Sequence, residues 1–248
     1  MSVVERHPPH WQTVARRQFG LLTSAPHPEL IPLAIASFFL FLGGVSFQLT
    51  LPGVTSVHAG PALAYLFSLV VASNWAGAAW PGEGPSQRDY HQVMPVDRRA
   101  HDLLRVGAGA AWLLLVLATL VVFGAVLAYT RDPGDTGGFL NPVFLIQFLI
   151  GPLAVFLLGS AAAIASDHPG RLITAGWMLS LVLWLISAIR HWTPVQALMS
   201  ALFLGPLRMS FPGGDDPAQA PGAILVLGVW LALGLAVVTL AAGKRKTS

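Results

Sequence analysis

The chain has 248 residues, of which 54% are hydrophobic and only 10% charged, with a mean hydropathy of +0.66 and a formal net charge of +3. A soluble domain carries about a quarter of its residues as charged side chains. This composition therefore excludes that class, and the absence of cysteine excludes disulfides, thiolate metal sites and cysteine nucleophiles. The sequence pI near 9.8 reads as membrane orientation and contact with anionic lipid, not as nucleic-acid binding.

Residues 1–28 form a cytoplasmic lead-in. At 100° per residue, Trp11, Val14, Ala15, Phe19, Leu21 and Leu22 share one side, while Gln12, Thr13, Arg16 and Arg17 share the other. The pattern predicts an amphipathic helix in the membrane interface, ended by Pro26 and Pro28. No cleavable signal peptide is expected, because the first apolar run begins only near Leu30. Residues 29–248 then form one domain of six spans, each reaching the ~20 residues that cross a bilayer core.

Span one covers about Leu30–Leu51 and span two about Pro61–Trp80, joined by an uncharged connection. A long polar, basic segment follows, 81–105. Span three covers about Val106–Thr130 and ends in a Gly- and Asp-rich turn. Span four covers about Asn141–Ala165, with Pro152 inside it as the expected kink. Span five covers about Leu172–Ile189 and span six about Gly222–Ala242, before a Lys-Arg-Lys tail. Between the last two spans, within the outer segment 191–221, residues 194–207 read as a helix with Thr193 as N-cap and Pro194 at its first position. This helix is too short to cross and is expected to be re-entrant or interfacial.

Charge sets the orientation. With both termini cytoplasmic, the inner segments hold Arg6, Arg16, Arg17, Arg88, Arg98, Arg99, Arg105, Arg171, Lys244, Arg245 and Lys246, and the outer ones only Arg131, Arg190 and Arg208. Eleven against three is a strong positive-inside bias, which a seventh span would destroy. The expected fold is an all-α integral membrane protein of the inner (cytoplasmic) membrane, with six transmembrane helices.

No acidic or basic residue sits in the middle of a span, which disfavours ion-coupled carriers and charged substrates. The polar groups within spans are Gln48, Ser68, Ser73, Asn74, Gln147, Ser160, Thr174 and Ser180. Hydrogen bonding between helices is their ordinary role; Gln48, Asn74 and Gln147 are also candidates for lining a substrate pathway. The eight histidines are expected to be interfacial or solvated, with none placed as a haem ligand or at metal-ligand spacing. No catalytic residues, metal site or cofactor are expected, and the Gly-Lys-Arg-Lys-Thr tail lacks the earlier glycine of a phosphate loop.

Residues 94–105, Met-Pro-Val-Asp-Arg-Arg-Ala-His-Asp-Leu-Leu-Arg, carry a resemblance. They resemble the element that membrane subunits of type-2 ABC exporters hold between their second and third spans: Leu-Pro, then Val or Leu, then Ser-Arg, two residues, and Leu or Ile. Here Met94 replaces the Leu and Asp97 the Ser. The order of elements along the chain also matches. Physically, Pro95 disfavours helix at Met94, Asp97 caps the helix that follows, and Arg98, Arg99 and Arg105 hold its start at the headgroups.

The resemblance implies that about Ser86–Val93 forms a coupling helix seated on a separate cytoplasmic ABC ATPase, with Arg88, Asp89, Tyr90, His91, Gln92, Pro95, Asp97, Arg98 and Arg99 as docking residues. It further implies a second permease copy, an N-terminal helix along the inner leaflet, and an outer-gate role for 194–207. Bland spans and a basic loop would also suit a non-transporting scaffold or assembly subunit. A lipid-modifying enzyme is disfavoured because no paired catalytic groups are found.

Overall fold

A computed structural model of the chain describes residues 12, 48–49, 57–78, 98–131, 140–166, 168–204 and 220–244. The N-terminal amphipathic helix, most of span one and the docking residues from Arg88 to Asp97 lie outside them. Six helices are described: α1 (Ala59–Ala78), α2 (Arg98–Arg131), α3 (Pro142–Ala165), α4 (Pro169–Ile189), α5 (Thr193–Leu204) and α6 (Ala220–Lys244). Of these, α2, α3, α4 and α6 are long and apolar enough to cross a membrane. Helix α1 has 20 residues and no charged side chain. The architecture is that of an all-α, multi-span membrane protein.

The helix limits follow local chemistry. Helix α3 begins where the Asn141 side-chain oxygen accepts from the Val143 N–H at 2.9 Å, with Pro142 at the first position. It continues through Pro152 to Ala165. Helix α2 starts at Arg98, directly after Asp97, and runs 34 residues without a break. At 1.5 Å per residue it is about 51 Å long, against about 30 Å of hydrocarbon. Its basic first turns therefore extend beyond the apolar part that had been assigned to span three.

Span one departs from expectation at its end. Gln48–Leu49 (β1) pairs antiparallel with Val57–His58 (β2), Gln48 opposite His58, so the chain at Gln48 is extended, not helical.

Helix α3 is the core element. Of its apolar window 56% is buried in the bundle, whereas α4 has 6%. On α1 the buried residues Tyr65, Ser68, Leu69, Ala72, Ser73 and Ala76 form one stripe facing α3, and Leu66, Val70 and Asn74 form the outward one. Helices α1 and α3 come together at Gly159, where an added Cβ would stand 2.7 Å from the Ala76 Cβ. Without hydrophobic drive between helices in lipid, such close approach through small residues supplies the packing energy. Stacking of Trp75 on Trp112, with centroids 4.4 Å apart and planes at 11°, joins α1 to α2.

Helices α4 and α5 are linked by a tight turn that no glycine announces. His191 has φ of 52°, and the Trp192 N–H bonds the Ser187 carbonyl at 2.9 Å. This is the closing bond of a Schellman cap with histidine in the place glycine usually takes.

Two stability outcomes follow from this packing. Gly159→Leu should lower stability in detergent by about 1–3 kcal/mol, the cost of overpacking, and Gly176→Ala should not, because nothing lies within 4 Å of its added Cβ. Thermal melts of the two proteins compare them directly. His191→Gly should raise stability by about 1 kcal/mol by removing left-handed strain, read from the shift of the same melt.

Candidate functional site

The basic end of α2 is the part of the proposed docking element that falls within the described residues. Arg98 is its first residue and Arg99 is exposed. The next two residues turn inward: His101 is 7% exposed and Asp102 2%. His101 is therefore shielded from solvent although it lies at the basic end of the helix. The reason lies in the helix spacing. Asp102, Val106, Gly109, Leu113, Leu117 and Val121 recur at three and four residues and form the buried stripe of α2, so Asp102 is that stripe's lowest member. Its Oδ1 stands 3.8 Å from His101 Nδ1, and its Oδ2 has no hydrogen-bond partner.

The three candidates for a substrate pathway are not brought together. Gln48 lies in β1. Asn74 is exposed on the outward stripe of α1, where its Nδ2 donates to the Val70 carbonyl at 2.9 Å. Gln147 is buried on α3, with its Oε1 lacking a partner.

The small polar side chains of the spans do not bond between helices as expected. Ser68 donates to Tyr65 O at 2.6 Å, Ser73 to Val70 O at 2.9 Å and Ser187 to Trp184 O at 2.7 Å, each within its own helix. Their short reach favours the carbonyl three or four residues back, which is always present at the right distance.

Contacts between helices are made instead by two long aromatic donors, and both converge on α5. The Tyr65 hydroxyl donates to Leu202 O at 2.6 Å, and Trp230 Nε1 donates to Leu198 O at 3.1 Å. These carbonyls are four residues apart, one turn of α5. Tyr65 is fully buried, packs against Phe148 with centroids 6.5 Å apart, and lies against Gly151, where any Cβ would collide with its ring and hydroxyl. Met199 and Leu202 are buried, so the twelve-residue helix enters the bundle. Sequence reasoning missed this clasp, although a tyrosine inside an apolar run is itself a signal: a buried hydroxyl needs an acceptor.

Beneath the clasp lies a cavity of about 150 Å³ lined by Ser73, Val155, Leu158, Gly159, Ala162, Leu172, Ile173, Gly176, Trp177, Ser180, Leu202 and Trp230. All five helices other than α2 contribute to it. None of Gln48, Asn74 or Gln147 does.

No family model matches the chain, and neither a curated protein nor a solved structure matches it. Its own architecture therefore carries the description, that of a multi-pass, helical membrane protein.

Tyr65→Phe should leave the Leu202 carbonyl without its donor at a cost of about 1–3 kcal/mol. Hydrogen exchange should then quicken in peptides covering Thr193–Leu204, while those of α3 stay as protected as before.

Proposed function

We propose that this protein is the permease subunit of a type-2 ABC exporter, working as a dimer with a separate cytoplasmic ATPase and moving a hydrophobic or amphipathic substrate. The observation that supports this reading most is the unbroken course of α2 from Arg98. The element that resembles the family's motif ends in the rigid foot of a membrane helix, so a push on the segment before it has a lever to act on. The apolar character of the spans and of the cavity favours a hydrophobic or amphipathic substrate over a small ion.

In this mechanism ATP-driven closure of the partner presses on the segment around Ser86–Val93. Pro95 and Asp97, a helix-capping residue type, stand in the sequence between that segment and α2, and Arg98, Arg99 and Arg105 keep the foot of α2 at headgroup depth. Motion of α2 reaches α3 where Gly109 packs against Phe156, and α3 carries it to α1, α4 and α6. Helix α5, held by Tyr65 and Trp230, is the outer element that such a motion would release.

Tagged protein, solubilised in mild detergent, should co-purify an ATPase subunit and stimulate its hydrolysis on reconstitution. A protein that brings down no ATPase and stimulates none is not a permease of this class. Arg98→Glu combined with Arg99→Glu should weaken the association about tenfold, the effect of ~1.4 kcal/mol, and uncouple transport without changing the melting temperature. Unchanged transport would remove these residues from the docking role.

A further inference from the structure

The cavity between α3 and α4 is of the size at which an apolar cavity takes a guest of about six carbons, such as benzene. Its walls offer such a guest little to hydrogen-bond. The Ser73 hydroxyl is engaged by Val70 O, and the Trp230 indole N–H by Leu198 O. Ser180 and Trp177 are the other polar side chains of the lining, and the remaining eight of its twelve residues are aliphatic or glycine, so hydrocarbon suits it better than water, which needs two to four polar partners. An empty cavity forfeits the contacts of its lining.

The cavity is also continuous with the outer surface of the bundle. Leu172 lines it and is at the same time 46% exposed. The rest of α4 presents Met178, Leu179, Val182, Leu185 and Ile186 outward, so the medium at the mouth is bilayer hydrocarbon. Next to Leu172 in the chain stands Arg171, exposed at the start of α4. An arginine there reaches headgroup level by extending its stem along the helix.

We propose that this cleft holds a segment of about six carbons of one acyl chain of a bilayer phospholipid, the rest of the chain lying in the bilayer outside the mouth, with Arg171 meeting the phosphate of its headgroup. The site stands independently of the permease reading, since it concerns what fills the cavity and not whether anything is carried. Gly176 and Ala162 both line the cleft, so enlarging either side chain tests whether the cleft is the site.

Delipidated full-length protein in detergent is titrated with phosphatidylglycerol bearing brominated acyl chains, which quench nearby tryptophans. The cleft's own signal is the difference between the native chain and a Trp177→Phe, Trp230→Phe double variant. Saturable quenching of that signal is expected, weakened about tenfold or more by Gly176→Phe and, from the opposite wall, by Ala162→Leu, with melting temperatures showing that both variants fold. Arg171→Gln should abolish any preference for phosphatidylglycerol over brominated phosphatidylcholine while leaving the chain bound. Quenching unaffected by both filling variants would overturn the site. Equal affinity for a brominated fatty acid or alkane would overturn a phospholipid as its occupant, and a preference that survives Arg171→Gln would overturn the headgroup contact.

Discussion

The C-terminal end of a twelve-residue helix cannot lie inside a bundle in hydrocarbon unless something donates to its carbonyls. For Leu202 that donor is the Tyr65 hydroxyl. The last four carbonyls of any helix have no partner within it, and in a membrane no water reaches them. Tyr65 can serve because Gly151 leaves room for its ring and hydroxyl. A glycine on α3, a tyrosine on α1 and a carbonyl on α5 thus form one dependent set. Losing any member exposes a polar group to hydrocarbon, so the site constrains three helices at once, and Trp230 extends the constraint to α6.

This arrangement places the polar interactions where they fix position and leaves bulk packing to small and apolar residues. Helix α3 meets its neighbours along nearly all its length, with Phe144, Phe148 and Phe156 buried. Ser68, Ser73 and Ser187 satisfy themselves locally, so they add little to the choice of neighbour. Selection of neighbours falls to shape: glycine under tyrosine at Gly151, glycine against alanine at Gly159, and Trp75 flat against Trp112. Helix α4, with few such features, meets α1, α3 and α5 only sparsely.

Helix positions were legible in the sequence because apolar length and local punctuation determine them. Span four was read from Asn141 to Ala165, and α3 runs from Pro142 to Ala165 with Asn141 as its cap. The Thr193-Pro194 pair likewise announced α5. Features that depend on the neighbouring chain were not legible from local signals. His191 supplies a left-handed cap without the usual glycine, and the β1–β2 pair needs two strands to find each other. The burial of Asp102 was written in the spacing of Val106, Leu113 and Leu117, which continue its stripe along α2. The cavity could not be read at all, since its twelve residues come from five helices. The docking residues Arg88–Asp97 rest on the resemblance and on charge, and of the docking set only Arg98 and Arg99 fall in the described helices.

In the permease reading, the asymmetry of packing decides which parts can move. Helix α2 carries a continuous buried stripe from Asp102 to Val121 and packs on α3 where Gly109 meets Phe156, so a displacement of α2 is passed into the bundle. Interiors packed this closely behave as rigid bodies. Helix α4 lacks such a stripe, and between it and α3 lies the cavity. A displacement delivered at Arg98 would therefore be absorbed where contact is least, at the α3–α4 boundary and at the two hydrogen bonds that hold α5. Filling the cavity with hydrocarbon lets that boundary slide without opening a void, because a fluid chain adjusts its shape where a packed side chain cannot. The same weak seam that makes α4 easy to move is the one that a lipid chain can keep closed.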